Sequence, residues 1–532
     1  MGYNSYNDIG CSPNSTWMDA SIRAMSSKGL VDLGYDYFQI DCGWQGFDRL
    51  PNGSITYDAS FFPDGIQPLS NLARDLGMKW SMYTDQGVYS CDTRQLPEQL
   101  RPGSLGYEKQ DAIMFAAWNT QYVKVDNCYI EPPENAPKDP RTDFPSRFAA
   151  MWNALQSVNI PEMLICQWGI PYINPSGDLE GPAQWTTPIS TSYRMSDDIA
   201  SGWENVMRIV NEAIHINLKG LSGPGHFADM DLLEVGNPGM TLAEQKSHFS
   251  LWAAFKSALM ISTDVPNMSP ETHSILSNKD IIAINQDPLG QLVKLTRRFT
   301  HDHDVYAGPL ANNDQVVLLL DTSNTTRTLS INLTTLNIKS ATLKDLWTGT
   351  THLSVTSYTA TVPPHGCIVL RLSNIVPSPS AQQQKYECHP ASTFILSPGT
   401  TIKPLSSSTD FKAVLAPNGT STLTIPNITT SATTTNIRFD YINAEIGYTF
   451  ADKGPNVRGA RISVNGGEGV EVLFPVSGYD WERDVLRGFL VRLGGFVVGQ
   501  ANTISVEAVG GGGSEFPLSG WGPEIVGVGV VM

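Results

Sequence analysis

Positive charge is scarce in this chain. Of 532 residues, 35 are Lys or Arg against 52 Asp or Glu, a formal net charge of -17, with a pI near 4.9. That imbalance argues against nucleic acid and anionic membranes as partners, because both bind through a basic face. Long apolar runs are missing too. No stretch approaches the ~18 residues of a membrane span, and the short apolar run at 525–532 reads as a last strand. Seven Cys occur without a CxxC pair or a Cys/His cluster, so no zinc pattern is present. Their odd number leaves at least one thiol unpaired in a monomer. No close-spaced acidic loop of the calcium type appears, and no GxGxxG follows the first strand, which argues against a doubly wound dinucleotide fold. No secretion signal is visible at the N-terminus. Even so, seven Asn-x-Ser/Thr sequons, at Asn14, Asn52, Asn267, Asn324, Asn332, Asn418 and Asn427, fit a secreted chain.

What is present suffices for packed cores. Hydrophobic residues make up 41%, with 12 Trp and 18 Tyr, and the length implies two or three domains. Over residues 1–290, strand-like runs at 1–6, 37–41, 79–85, 122–126, 163–168, 193–198, 226–231 and 259–264 alternate with helical stretches. The helices have apolar spacing near 3.6, over 17–33, 144–158, 203–216 and 242–259. Asn14-Ser15-Thr16 supplies an N-cap for the first and Gly34 a stop. Eight such β/α units predict a TIM barrel. After Pro288-Leu289-Gly290 helical periodicity gives way to short alternating strands, predicting an antiparallel β-sandwich over 291–372. Residues 373–384 (SNIVPSPSAQQQ) read as a linker. From 385 to 532, Thr, Ser, Val and Gly dominate with turn clusters every ~8–12 residues, the pattern of a second sandwich.

The chemistry gathers at predicted strand ends. Asp41, Asp85, Asp126, Asp198, Asp229, Asp231 and Asp264 all fall there. A buried strand that ends on a carboxylate is costly unless the charge is solvated, paired or used, and the C-terminal mouth of a parallel barrel is where such residues act. A helix N-cap or a loop-fixing carboxylate is the alternative at any one of them. Aromatic residues Tyr6, Trp44, Tyr83 and Trp168 stand beside them. Carboxylates with aromatic platforms suit a sugar, which offers hydroxyls at its edge and C–H groups on its face. Glycoside hydrolysis needs two such acids.

Five segments carry a resemblance: Met1-Gly2-Tyr3-Asn4-Ser5-Tyr6-Asn7, Ile40-Asp41-Cys42-Gly43-Trp44, Lys124-Val125-Asp126-Asn127-Cys128, Arg194-Met195-Ser196-Asp197-Asp198 and Ile282-Ala283-Ile284-Asn285-Gln286-Asp287-Pro288-Leu289-Gly290. Together they resemble glycoside hydrolase family 27, the α-galactosidases and α-N-acetylgalactosaminidases, through residues 1–372. The resemblance implies a retaining exo-α-galactosidase acting without cofactor or metal on terminal α-galactosides of oligosaccharides or galactomannans. It makes Asp126 the nucleophile and Asp198 the acid/base, with Asp197 the rival for the second role. It implies that Asp41 binds the 4- and 6-hydroxyls, Arg194 the 2-hydroxyl, and that Tyr6, Tyr83 and Asp231 line the pocket. Lys124, two residues before Asp126 on the same side of the strand, binds hydroxyls or forms an interior ion pair. A Cys91–Cys128 disulfide is implied beside the nucleophile, fitting an oxidising compartment. Met1 matches an internal Met of the family's opening motif, so the expectation is an N-terminus that has lost its secretion signal.

Three positions depart from the family. Cys42 replaces the second of two adjacent acids and has Cys11 as a candidate partner. Gln167 stands where Glu is common near the 2-hydroxyl, and Tyr6 replaces a frequent Trp. Bulky Ile170-Pro171-Tyr172 disfavour a 2-acetamido group. Cys166 matches a family Cys whose partner position, 190, is Ser, so a buried free thiol is expected. Cys42 keeps a β-L-arabinopyranosidase open beside the α-galactosidase and α-N-acetylgalactosaminidase readings, and a non-catalytic sugar-binding barrel is the alternative outside enzymes. Over 385–532, Asp440-Tyr441-Ile442-Asn443-Ala444, Ile462-Ser463-Val464-Asn465-Gly466-Gly467 and Ala501-Asn502-Thr503-Ile504-Ser505-Val506 resemble type-35 carbohydrate-binding modules. Tyr479, Trp481 and Trp521 are the candidate platforms, with a purely stabilising sandwich as the alternative.

Overall fold

The computed structural model describes residues 1–92, 100–132, 140–298, 303–378, 385–447, 454–509 and 518–531. The chain divides into two compact units, one built on Met1–Gly202 with Leu221–Gln286, the other on Trp203–Gly220 with residues from Asp287 onward.

The first unit is a barrel. Its strands are β1 (Gly2–Asn4), β2 (Tyr37–Gln39), β3 (Lys79–Asp85), β4 (Thr120–Asp126), β5 (Glu162–Ile165), β6 (Ser192–Arg194), β7 (Phe227–Asp229) and β8 (Met260–Ile261). They pair in parallel in the order β8-β1-β2-β3-β4-β5-β6-β7. A parallel bridge between Leu233 and Ile261 joins the two ends. Strands β3 and β4 are buried on both faces over their last four residues, which is why they read as near-continuous apolar runs rather than alternating ones. Most strands are shorter than their hydrophobic patterns. Only Asp85, Asp126 and Asp229 are terminal strand residues; Asp41, Asp198, Asp231 and Asp264 lie in the loops beyond.

The helices follow local chemistry. Ser15–Ser27 starts where Asn14 accepts from the Trp17 N–H, and Leu242–Ala254 starts on a capping box of Thr241 and Glu244. Phe144–Ser157 matches its periodicity. Gln67–Asp75 and Glu108–Ala117 complete the crossovers and had no counterpart in the sequence reading.

Among the described residues, the second unit holds two β-sandwiches and one α-helix. In the first sandwich a six-stranded antiparallel sheet, running from Lys294–Arg297 to Cys367–Pro377, faces the pair Arg327–Asn332 and Ser357–Val362 over a core of Leu, Ile and Val. Its last strand continues to Pro377, five residues into the segment read as linker, because Val376 and Pro377 still pair with Ser340 and Ile338; Ser378 follows, and 379–384 lie outside the described residues. The second sandwich packs a six-stranded on a five-stranded antiparallel sheet. Its strands alternate, as in Asn502–Ala508, where every second residue is buried. Helix Trp203–Lys219, which the sequence places inside the barrel domain, groups with this unit.

Candidate active site

Register builds the site. Tyr83 stands opposite Lys124 and Asp85 opposite Asp126, so β3 and β4 deliver two layers of side chains to the C-terminal rim. Those β4 residues reach a cavity of about 200 Å³ lined by Tyr6, Lys124, Asp126, Trp168, Arg194, Asp198 and Asp231, among others. That is smaller than the ~300–1,000 Å³ of sites for drug-sized ligands and suits one sugar ring. Two lining residues, Trp168 (φ 56°) and Asp231 (φ 78°), hold left-handed backbone, a cost tolerated mainly where a site requires it.

Two cation-centred clusters face the cavity. In one, the Lys124 ammonium lies 3.0 Å from Asp41 and 3.9 Å from Asp126, while the Asn4 amide donates to Asp41 at 2.7 Å. In the other, the Arg194 guanidinium reaches Asp231 at 2.7 Å and Asp198 at 2.9 Å. The Ile199 N–H also donates to Asp231 at 2.7 Å. Burial pushes the Asp126 carboxyl up to about 6; Lys124 opposes that rise, and Asp41 adds to it. Asp126 Oδ1 has no hydrogen-bond partner, so one carboxylate oxygen stays free to act on a bound atom. Asp198 is more open, with its side chain 29% exposed. Two carboxyls on a shared pocket, one buried and one accessible, are the pair of acids that glycosidase chemistry needs.

Several expected residues serve the frame instead. Tyr83 is fully buried; its hydroxyl accepts from the Cys91 N–H at 3.1 Å, so it props the wall rather than lining the cavity. Trp44 is also fully buried, donating to the Tyr83 carbonyl and packing edge-on against Phe115 and Trp118. Gln167 is fully buried with both amide atoms unpartnered and is absent from the lining. Asp41, 1% exposed and absent from the lining, accepts from Lys124, from Asn4 and from the Cys42 N–H. Asp85 accepts from Gly87 and Cys128 N–H groups and fixes the loop, the bland alternative for a strand-end acid. Gly87 is required there, since a Cβ would sit 1.8 Å from the Cys128 carbonyl oxygen. Asp264 accepts from Asn267 in a local turn.

Both candidate disulfides form, Cys11–Cys42 and Cys91–Cys128, and Cys42, Cys91 and Cys128 also line the cavity. The open pairing of Cys42 is thereby resolved, and Cys166 is a buried free thiol. Among the described residues, Asp85, Cys91 and Cys128 cluster at metal-ligand distances, but the two sulfurs are bonded to each other and offer no thiolate. Asn7, Ile199 and Leu232 line the cavity and were missed. Asn7, which donates to Glu234, lies in the opening motif beside Tyr6, and that adjacency was the available signal.

In the second sandwich Tyr479 is buried, its hydroxyl donating to Glu212 at 3.3 Å, which removes it as a platform. Trp481 is covered by the Arg458 guanidinium at 4.3 Å. Trp521 remains 41% exposed.

Comparison with known proteins shows the family. The family profile described as alpha galactosidase A matches residues 6–287, and that of the alpha galactosidase C-terminal beta sandwich domain matches 300–372. A probable alpha-galactosidase D from Aspergillus niger is 38% identical over 385 residues, 70% of this chain and 56% of that protein; the chain thus spans little more than half the length of this relative. The crystal structure of alpha-galactosidase I from Mortierella vinacea superposes with a TM-score of 0.64 at 31% identity, over 71% of this chain and 97% of that one. The α-galactosidase from Saccharomyces cerevisiae with raffinose gives 0.61 at 26%, over 71% and 97%. The chain belongs to the α-galactosidase family, glycoside hydrolase family 27.

Proposed function

We propose that the chain is a retaining exo-α-galactosidase that removes terminal α-galactosyl residues from oligosaccharides or galactomannans. One observation carries the reading: Asp126, with an unpartnered oxygen, and Asp198, held by Arg194, line the same small cavity. In the first step the Asp198 carboxylic acid gives its proton to the glycosidic oxygen. An Asp126 oxygen attacks the anomeric carbon, the carbon–oxygen bond to the leaving alcohol breaks, and a galactosyl ester forms. In the second step Asp198, now a carboxylate, takes a proton from water. The water oxygen displaces Asp126 and releases galactose with its original configuration.

Lys124, held in place by Asp41, favours the ionised nucleophile and binds hydroxyls; Asp231 holds Arg194 towards the 2-hydroxyl; Tyr6 covers the sugar face. Raffinose bound to the yeast relative supports a galactoside substrate. Two disulfides support secretion into an oxidising compartment. A second reading, β-L-arabinopyranosidase, is favoured by Cys42, which presents a disulfide to the cavity where the family usually has a second acid.

A panel of nitrophenyl glycosides separates these. Turnover fastest on the α-galactoside is expected; faster arabinopyranoside turnover moves the sugar assignment, and no turnover of any member at pH 4–8 removes the enzyme reading. Asp126→Gly is expected to lose essentially all activity. Asp198→Ala is expected to slow glycosylation far more for poor leaving groups than for good ones.

A further inference from the structure

The rim register continues past the nucleophile. Val125 is the last residue of β4 paired with β5, opposite Ile165, so the next residues, Asp126 and Cys166, stand side by side. The Cys166 N–H donates to the Val125 carbonyl at 2.9 Å. Ile165 in turn pairs with Tyr193, so Cys166 also neighbours Arg194, which pairs with Asp229. Cys166 therefore separates the carboxylate of Asp126 from the guanidinium of Arg194. Its side chain stands next to the Asp126 carboxylate in the register and favours the ionised form of that acid, and its sulfur accepts from Arg194 Nη1 at 3.5 Å. The thiol is fully buried.

We propose that Cys166 is a positioning residue: its S–H donates to the Asp126 carboxylate while its sulfur is held by Arg194, coupling the nucleophile to the cation that orients Asp198. This rests on the reading of Asp126 as nucleophile. A spacer is needed at this rim position. Arg194 in direct contact with Asp126 would form a tight charge-assisted pair and blunt the nucleophile, whereas a thiol is a weak donor that fixes orientation at small cost. It also leaves Arg194 Nη2 for Asp198 and Asp231. Burial and the neighbouring Asp126 keep the thiol far above its usual range, so it stays a donor at every working pH.

The other charges facing Asp126 are Lys124 on its own strand, Asp85 on β3, Asp41 beyond β2 and Asp198 beyond β6. The Tyr83 and Tyr6 hydroxyls face it as well. Of the groups that favour ionised Asp126, Lys124 is charged and Cys166 is the neutral donor. Losing that donor disfavours the ionised form and raises the pH at which Asp126 titrates.

The test is the pH profile of kcat/KM for Cys166→Val and Cys166→Thr, which share a shape and differ in one O–H donor. The smaller pair Cys166→Ala and Cys166→Ser is measured alongside, so that one pair failing to fold leaves the comparison intact. The proposal predicts that the acid limb moves up by about half a pH unit or more in Val and Ala, so that kcat/KM at pH 5 falls about three-fold further than at pH 7.5. Thr and Ser keep the limb near that of the wild type. Equal limbs within each pair, or a uniform loss at every pH, overturn it and leave Cys166 a packing residue. An Asp126→Gly variant that retains turnover overturns instead the assignment of the nucleophile, whatever the cysteine variants do.

Discussion

Asp126 sets two pH dependences of opposite kind. Its carboxyl titrates near 6 in the folded chain against an ordinary 3.8, and the nucleophile acts only when ionised. The expected acid limb of kcat/KM therefore bends near pH 6 and falls tenfold per unit below it. For stability the sign reverses. A raised folded value means that the native state binds the proton more tightly, so the Asp126 contribution to stability is most favourable at low pH and is lost as pH rises from about 4 through 6. Asp126→Asn removes that titration. Between pH 4 and pH 7 the stability difference between variant and wild type is expected to move in the variant's favour by up to about 3 kcal/mol, measurable as denaturation midpoints at the two pH values. A gap that stays constant with pH contradicts a raised Asp126. At this scale the sequence was most legible where a residue's type and its strand-end position coincide, as at Asp126. It was least legible where side-chain direction decides. Tyr83 and Gln167 have suitable chemistry but turn inward, and no periodicity in a strand of a few residues reveals that.

Among the elements, the two disulfides tie the β/α loops to the rim. Cys91–Cys128 joins the loop after β3 to the residue two beyond the nucleophile across 37 positions of sequence. Replacing both by Ser is expected to cost about 3–4 kcal/mol of stability, read as a fall in the denaturation midpoint. The variant is also expected to lose more in kcat than in KM, because Cys128 N–H fixes Asp85 beneath the nucleophile. Barrel strands β3 and β4 and helix Phe144–Ser157 were readable because each is long enough to show its period. Helix Glu108–Ala117 was not, since Ile113 is 61% exposed on its outer face and breaks the apolar stripe. Strand β8, two residues long, is defined by its pairing with Gly2 and Tyr3 rather than by its own sequence.

On the scale of the molecule, the second sandwich is wired to a helix that the sequence places between β6 and β7. Asn456 Nδ2 donates to the Arg208 carbonyl and to Glu212, both at 3.2 Å; Lys219 pairs with Asp484 at 2.7 Å, and Asn211 donates to the Pro455 carbonyl at 3.1 Å. These contacts favour the stabilising role for residues 385–531 that the sequence left beside the sugar-binding one. They were invisible in the sequence because polar partners about 250 residues apart have no local signature. Asn456→Leu leaves the buried Glu212 carboxylate without one donor and is expected to destabilise the chain by roughly 2–3 kcal/mol, checked by equilibrium unfolding. A neutral effect argues for a sandwich that folds as a detachable module.

The central claim, a galactosyl ester on Asp126, is tested most directly by trapping it. Incubating the wild-type chain with a slow 2-fluoro-substituted α-galactosyl substrate and sequencing its peptides by mass spectrometry should place one fluorogalactosyl group on the peptide that contains Asp126, and none after Asp126→Gly. A label on another carboxylate, or turnover of the unsubstituted galactoside with no trapped ester, contradicts the account.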